Sequence, residues 1–149
     1  NYDWLKSHPA LSPDGTRLVL PLSAGFDMNV VTLDGTVLHS LGTTGFQQSW
    51  SPDGQWVALV ENRGGVNRLV VIPSGGGEIL QVYEYGGPME YQWTADSRHL
   101  LVQTWPAGEA GLEDASALRL ISLEQGWIRR LQLNAPDGAY ELVYPSISR

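Results

Sequence analysis

A short run of turn residues recurs along this chain and constrains its fold more than any other feature. Residues 12–15 and 51–54 both read Ser-Pro-Asp-Gly, and residues 94–97 read Thr-Ala-Asp-Ser at the corresponding place. Each run is followed by strand-forming residues such as Leu, Val and Trp. The three runs lie about 40 residues apart, so the chain is built from repeats that each have room for four short strands.

Each repeat offers four strand-like stretches separated by turn residues. In the second repeat they are 46–51, 55–61, 67–72 and 78–83, in the first 8–12, 17–22, 28–33 and 36–41, and in the third 89–94, 98–105, 117–123 and 127–133. Four antiparallel strands per repeat of about 40 residues make a β-propeller blade. We therefore predict an all-β fold with blades at about 8–41, 46–83 and 89–133.

The Ser-Pro-Asp-Gly run has a physical role as the turn between the first two strands of a blade. Proline presets the backbone angle of the turn, at Pro13 and Pro52. The carboxylate that follows, of Asp14 or Asp53, can accept a hydrogen bond from the backbone N–H two residues on. Glycine then takes a backbone angle that side chains disfavour, at Gly15 and Gly54. Asp96 is the equivalent acid in the third repeat. There Ala95 and Ser97 replace Pro and Gly, so the sequence alone does not determine the geometry of that turn.

The last residues of the chain parallel its beginning. Residues 144–148, Tyr-Pro-Ser-Ile-Ser, match residues 8–12, His-Pro-Ala-Leu-Ser. We predict that a fourth blade starts at about 142–149 and that the whole chain, 1–149, is one segment. Closed propellers have typically four to eight blades. Three blades would be half of a six-bladed ring, and two interpretations stay open. Either the chain is a piece of a longer propeller, or two copies of it associate to complete the ring.

These repeats resemble the WD-like repeats of the TolB family, on the evidence of residues 12–15, 51–54 and 94–97. Similar repeats occur in the sensory halves of membrane-bound regulators and in the propellers of prolyl-oligopeptidase-type peptidases. The resemblance implies a β-propeller and a bacterial protein in the periplasm or outside the cytoplasm. It says little about function, because this fold serves many roles.

Composition excludes several classes of partner and site. The net charge is −7, which disfavours binding to nucleic acid or to an anionic membrane surface. There is no cysteine, so thiolate catalysis, disulfides and cysteine-ligated zinc are excluded. No apolar run is long enough to cross a bilayer.

Residues that could carry chemistry do not form a recognisable pattern. His8, His39 and His99 lack a partner at metal-ligand spacing, and the glycines of 75–77 are not followed by the Lys and Ser/Thr of a phosphate loop. No hydrolase triad is visible. We predict no catalytic residue, no cofactor and no metal.

Loops at one end of the blades are the best candidate for a binding surface. The second-to-third-strand connection is short in the second repeat and long in the third, where it spans 106–116. In propellers these connections share a face with those between blades, and loops there often carry function. A tolerated, solvated insertion is the alternative interpretation. The candidate residues are Phe26, Asp27, Arg63, Glu84, Tyr85, Trp105, Glu109, Glu113 and Asp114.

These observations favour a non-catalytic module that binds a protein partner or a second copy of itself. The resemblance implies that such a module is similar to TolB or to the sensory domain of a membrane-bound regulator. One alternative is a peptidase propeller that controls access to a separate catalytic domain. Another is a self-assembling half-propeller.

Overall fold

The computed structural model describes residues 8–22, 27–106 and 117–131, and within these ranges the regular structure is entirely β. The strands are β1 (Ala10–Leu11), β2 (Arg17–Pro21), β3 (Asp27–Thr32), β4 (Val37–Thr44), β5 (Phe46–Trp50), β6 (Trp56–Arg63), β7 (Val66–Pro73), β8 (Leu80–Tyr85), β9 (Met89–Trp93), β10 (His99–Thr104), β11 (Ala117–Ser122) and β12 (Ile128–Leu131). None of the described residues forms a helix that could cross a membrane.

The strands form three antiparallel sheets of four, in the orders β1-β2-β3-β4, β5-β6-β7-β8 and β9-β10-β11-β12. We call these sheets blades 1, 2 and 3, and their successive strands A to D. The all-β fold of four-stranded blades predicted from the repeat is therefore confirmed. The predicted start of a fourth blade at 142–149 lies outside the described residues.

Strand alternation lets each blade pack on its neighbours through both faces. In β6, Val57 and Leu59 belong to an apolar cluster shared with blade 1, whereas Ala58 and Val60 belong to a second cluster shared with blade 3. Successive residues of a strand point to opposite faces of the sheet, so this run of four apolar residues serves two interfaces. The middle blade is thus buried on both sides.

The A strands lie next to one another, where side chains of one blade bond the backbone of the preceding one. The side-chain amide of Gln48 donates to the carbonyl of His8 (2.6 Å), and the indole N–H of Trp50 donates to the carbonyl of Ala10 (2.8 Å). In blade 3, the Tyr91 hydroxyl bonds the carbonyl of Gln47. Gln48 and Tyr91 occupy the same place in their repeats, so the same kind of side-chain-to-backbone hydrogen bond joins both pairs of blades.

The A–B turns have the hydrogen bonds that their sequence predicts. In blade 1 the Asp14 carboxylate accepts from the Ser12 hydroxyl (2.6 Å) and from the backbone N–H of Thr16 (3.1 Å). In blade 2 the Asp53 carboxylate accepts from the Ser51 hydroxyl (2.5 Å) and from the N–H of Gln55 (3.0 Å). These bonds are local, which explains why the aspartates recur once per blade.

The turn of blade 3 keeps this geometry although serine replaces glycine. Ser97 has a φ of 59°, close to the 71° of Gly15 and the 70° of Gly54. Its hydroxyl accepts a hydrogen bond from the backbone N–H of Asp53 (3.0 Å), which joins the turns of blades 2 and 3. A side chain in the left-handed region is strained, and this bond between blades offsets the strain.

We expect Ser97→Ala to destabilise the chain more than Ser97→Gly does. Alanine loses the hydrogen bond and keeps the backbone strain, whereas glycine loses the bond and relieves the strain. The difference in the free energy of unfolding should be about 1 kcal/mol. Urea denaturation of both variants measures it.

Gly54→Ala is the matched control for that experiment. A Cβ at Gly54 would lie 3.7 Å from Pro13 Cδ, an ordinary contact, so this variant reports the strain alone. Equal stabilities for Ser97→Ala and Ser97→Gly would show that Ser97 is not strained.

The same turns should make stability depend on pH in the acid range. The Ser12 hydroxyl and the Thr16 N–H lower the pKa of Asp14 from 3.8 to about 2, and the Thr94 hydroxyl and the Arg98 N–H lower that of Asp96 to about 2. Unfolded chains then bind more protons than folded ones as the pH falls from about 4 to about 2. Stability should therefore be full above pH 4 and fall across that window.

Urea midpoints between pH 5 and pH 2.5 test this dependence. The double variant Asp14→Asn, Asp96→Asn should show a shallower fall, because amides do not titrate. A fall as steep as that of the unmodified chain would assign the acid sensitivity to other carboxylates.

Candidate functional site

The connections between strands B and C and between successive blades lie at one end of the sheets. In blade 2, β6 ends beside the start of β7, where Arg63 pairs with Val66, and β8 ends there too, where Tyr85 pairs with Asn67. The next blade begins at the same end, since Met89 pairs with the last residue of β10. We call this end of the blades, which carries Asp27, Arg63, Glu84, Tyr85 and Trp105, the loop face.

Arg63 lies on the loop face beside a buried carboxylate that the sequence did not single out. Glu61 is only 4% exposed, and its Oε2 lies 3.0 Å from Arg63 Nε. The hydroxyl of Thr43, in blade 1, donates to the other carboxylate oxygen. Arg63 therefore compensates a buried charge between two blades, which is a structural role.

Glu84 and Tyr85 end strand D of blade 2. Glu84 Oε2 lies 2.9 Å from Arg68 Nε, and this pair joins β8 to β7 across their register. Tyr85 is half-buried and packs against the apolar cluster between blades 2 and 3. Both residues belong to the loop face, and Glu84 remains exposed on it.

The other candidate residues are separated. Asp27 is exposed at the start of β3 in blade 1, whereas Trp105 follows β10 in blade 3, where its backbone N–H donates to the carbonyl of Pro88 (3.0 Å). Four of the residues proposed from the sequence lie outside the described residues: Phe26, Glu109, Glu113 and Asp114.

A cleft of about 360 Å³ opens on the loop face between blades 2 and 3. We call it the blade 2–3 cleft. It combines aromatic and apolar walls with a few polar groups, as ligand-binding clefts commonly do. Its lining residues are Phe46, Gln47, Asn67, Gly86, Gly87, Pro88, Met89, Glu90 and Trp105.

Gln47 is the strained residue of this cleft. It has a φ of 55°, and it lies in a β-bulge where the pairing of β5 with β6 shifts between Phe46 and Ser49. Its side-chain oxygen is buried and has no hydrogen-bond partner among the described residues. Bulges and strained residues concentrate at functional sites, and this makes the cleft a candidate site.

The cleft and the loop face show no arrangement for acid–base or metal chemistry in the part of the chain that is described. No group of three metal-ligating side chains is found there. One histidine does have a carboxylate neighbour, contrary to expectation: His99 Nδ1 lies 3.0 Å from Asp96 Oδ2. This pair closes the A–B turn of blade 3, at the opposite end from the loop face.

The tryptophans of strand A are packing residues rather than a ligand platform. Trp50 is 7% exposed within the cluster between blades 1 and 2, and Trp93 packs against the cluster between blades 2 and 3. Arg17 stacks on the Trp50 ring at 4.8 Å from its centre. Trp50 and Trp93 occupy equivalent places in their repeats, and both lie between blades.

Most of the cleft was not predicted from the sequence. Trp105 was among the candidate residues, but Gln47, Asn67 and Glu90 were not. The available signal was the Gly86-Gly87-Pro88 connection, since glycine and proline between two strands indicate an irregular loop with accessible backbone.

No family model matches this chain, and no curated protein matches it by sequence. Solved structures do match its fold. TolB from Acinetobacter baumannii aligns with a TM-score of 0.63 at 18% identity, and a protein described as TolB from Agrobacterium tumefaciens with 0.61 at 19%. The β-propeller domain of the Trilobed protease from Pyrococcus furiosus aligns with 0.61 at 16%.

These alignments define the class of fold. They cover 85%, 85% and 82% of this chain but only 32%, 46% and 40% of the three structures, in the order given. At such identities the likeness concerns the fold alone. The chain has the fold of β-propeller blades, and it spans less than half the length of these structures.

Proposed function

We propose that this chain is a non-catalytic β-propeller module that binds a protein partner through its loop face. The blade 2–3 cleft carries this proposal, because it places a strained glutamine, an exposed carboxylate and an indole at the end where the longest connections lie. Rigid blades that present variable loops are a common way to build a binding surface. The TolB likeness supports a bacterial protein that works in the periplasm.

Site-specific crosslinking tests the proposal, because the chain has no cysteine of its own. A benzophenone label on Glu84→Cys places a crosslinker on the loop face, and one on Glu124→Cys places it at the opposite end. After irradiation in a periplasmic extract, the label at position 84 should yield a discrete protein adduct and the label at position 124 should not. Adducts at neither position, or equally at both, would contradict the proposal.

A peptidase propeller is the second candidate function, and the likeness to the propeller of the Trilobed protease favours it. In that case the blades would control access to a catalytic domain encoded beside them. A coding region for an α/β-hydrolase domain with Gly-x-Ser-x-Gly, adjoining this one, would replace the first proposal with this one.

Self-association into a six-bladed ring is compatible with either function. The exposed large apolar residues lie mostly in the terminal blades: Leu11, Leu33, Val37 and Leu38 in blade 1, and Ile128 and Leu131 in blade 3. Exposed apolar side chains on the terminal blades favour association. Sedimentation of the purified 16.3 kDa chain should give a dimer, and a stable monomer would contradict this assembly.

A further inference from the structure

We propose that the blade 2–3 cleft binds the side chain of an arginine presented by a peptide or protein loop. This inference rests on the proposed function, since it names the chemistry that the loop face recognises. Three properties of the cleft support it: its charge, its unused hydrogen-bond acceptors and its aromatic wall.

The charge at this end of the blades favours a cation. Three arginines there are already engaged: Arg63 with Glu61, Arg68 with Glu84, and Arg119 with the Thr104 hydroxyl (2.9 Å) and the Tyr83 ring. Arg130, opposite Arg119 on β12, is exposed and is not among the residues that line the cleft. Glu90, in contrast, is exposed in the cleft and makes no ion pair with a described residue.

The cleft holds hydrogen-bond acceptors that have no partner among the described residues, so a ligand there should supply donors. Asn67 is already engaged at both polar atoms, because its amide nitrogen donates to the carbonyl of Gly87 (2.8 Å) and its oxygen accepts from Asn62 (2.8 Å). The oxygen of Gln47 and the carboxylate of Glu90 remain as acceptors. A guanidinium offers five N–H donors in a plane and accepts nothing, and it pairs with a carboxylate through two parallel bonds.

The wall of the cleft suits the rest of an arginine side chain. Trp105 supplies an indole ring, and Phe46 and Met89 supply apolar surface for the methylene groups. Guanidinium groups stack on tryptophan within about 6 Å of the ring centre. The chain already uses this contact twice, since Arg17 stacks on Trp50 (4.8 Å) and Arg129 on Trp127 (4.7 Å).

The size of the cleft agrees with a single long side chain. Its 360 Å³ is near the lower limit of ligand pockets, which hold about 300–1,000 Å³. We expect arginine to be preferred over lysine here, because a planar guanidinium can stack on an indole such as Trp105 and also pair with a carboxylate such as Glu90.

Titration of the isotope-labelled chain with two peptides tests the inference by NMR. The probes are acetyl-Gly-Gly-Arg-Gly-Gly-amide and the same peptide with citrulline, which has nearly the same shape and no charge. We expect the arginine peptide to shift the indole N–H of Trp105 and the amide of Gly86, and to bind at least tenfold more tightly than the citrulline peptide. Equal binding, or shifts confined to other parts of the chain, would overturn the inference.

Variants assign the binding to the cleft. Glu90→Gln should weaken the arginine peptide about tenfold, roughly the effect of losing a charge-assisted pair. Glu124→Gln makes the same charge change at the opposite end and should have no effect, and thermal unfolding checks that both variants are folded. Unchanged affinity in Glu90→Gln would overturn the inference, and Trp105→Phe gives an independent reading because it should weaken binding without changing charge.

The peptide titration and the crosslinking at position 84 together distinguish failure of the arginine inference from failure of the proposed function. A protein adduct at position 84 without arginine-selective peptide binding would overturn the arginine inference and leave the proposed function. Arginine-selective binding without a protein adduct would overturn the proposed function and leave a cleft that binds free cationic peptides.

Discussion

Gly45→Ala is expected to destabilise the fold by about 3 kcal/mol or more, since overpacking combined with a backbone clash has few ways to relax. A Cβ at this position would lie 2.6 Å from Leu59 Cδ1 and 2.6 Å from the carbonyl oxygen of Val60. Leu59 is fully buried in the cluster between blades 1 and 2, so its side chain cannot move aside. Val60 O belongs to the central strand β6, which is paired on both sides.

Chemical denaturation measures this effect, and Gly86→Ala is its control. Gly86 lies in the connection between blades 2 and 3, as Gly45 lies in that between blades 1 and 2, but a Cβ there would meet nothing within 4 Å. The control should change stability by about 0.5 kcal/mol or less. Similar denaturation midpoints for the two variants would contradict the close approach at Gly45.

Tyr91→Phe should cost about 2 kcal/mol, because it removes one hydroxyl from a buried network of four groups. Tyr91 Oη accepts from the Ser49 hydroxyl (3.1 Å) and lies within bonding distance of the carbonyls of Ala58 (2.7 Å) and Gln47. Burial raises the pKa of this tyrosine, so the hydroxyl stays protonated and available as a donor. Phenylalanine keeps the ring and leaves these groups unsatisfied.

Urea denaturation compares this variant with Tyr83→Phe. The ring of Tyr83 packs beneath Arg119, and no hydrogen bond joins its hydroxyl to another described residue. Tyr83→Phe should therefore be nearly neutral. Adding Ser49→Ala to Tyr91→Phe should cost less than the sum of the two single changes, because they share one network. Strict additivity would show that Ser49 and Tyr91 act separately.

The architecture was predictable from the sequence because its signals are local. The turn formed by Ser12, Asp14 and Thr16 depends on residues close together in the chain, and the alternation of apolar residues within a strand marks its two faces. Repetition strengthens the fold prediction further, because a chance match would rarely recur three times at a spacing of about 40 residues. Even Ser97, where the pattern fails, keeps the geometry of its glycine equivalents.

The site was less predictable because it depends on contacts between repeats. Nothing local distinguishes Gln47 from Gln48, yet one lines a cleft with a strained backbone and the other bonds the preceding blade. The close approach at Gly45 and the burial of Glu61 likewise depend on a neighbouring strand or blade. Sequence reasoning therefore named Trp105, but not the other residues that line the cleft.

The bonds made by Gln48 and Tyr91 give the array of blades a direction. Each side chain donates toward the blade that comes earlier in the chain, to a carbonyl at an equivalent position of its inner strand. The acceptor is backbone, so any blade can supply it whatever its sequence. This contact therefore places no demand on the sequence of the preceding blade, and a duplicated or grafted blade needs only a donor at this position to make it.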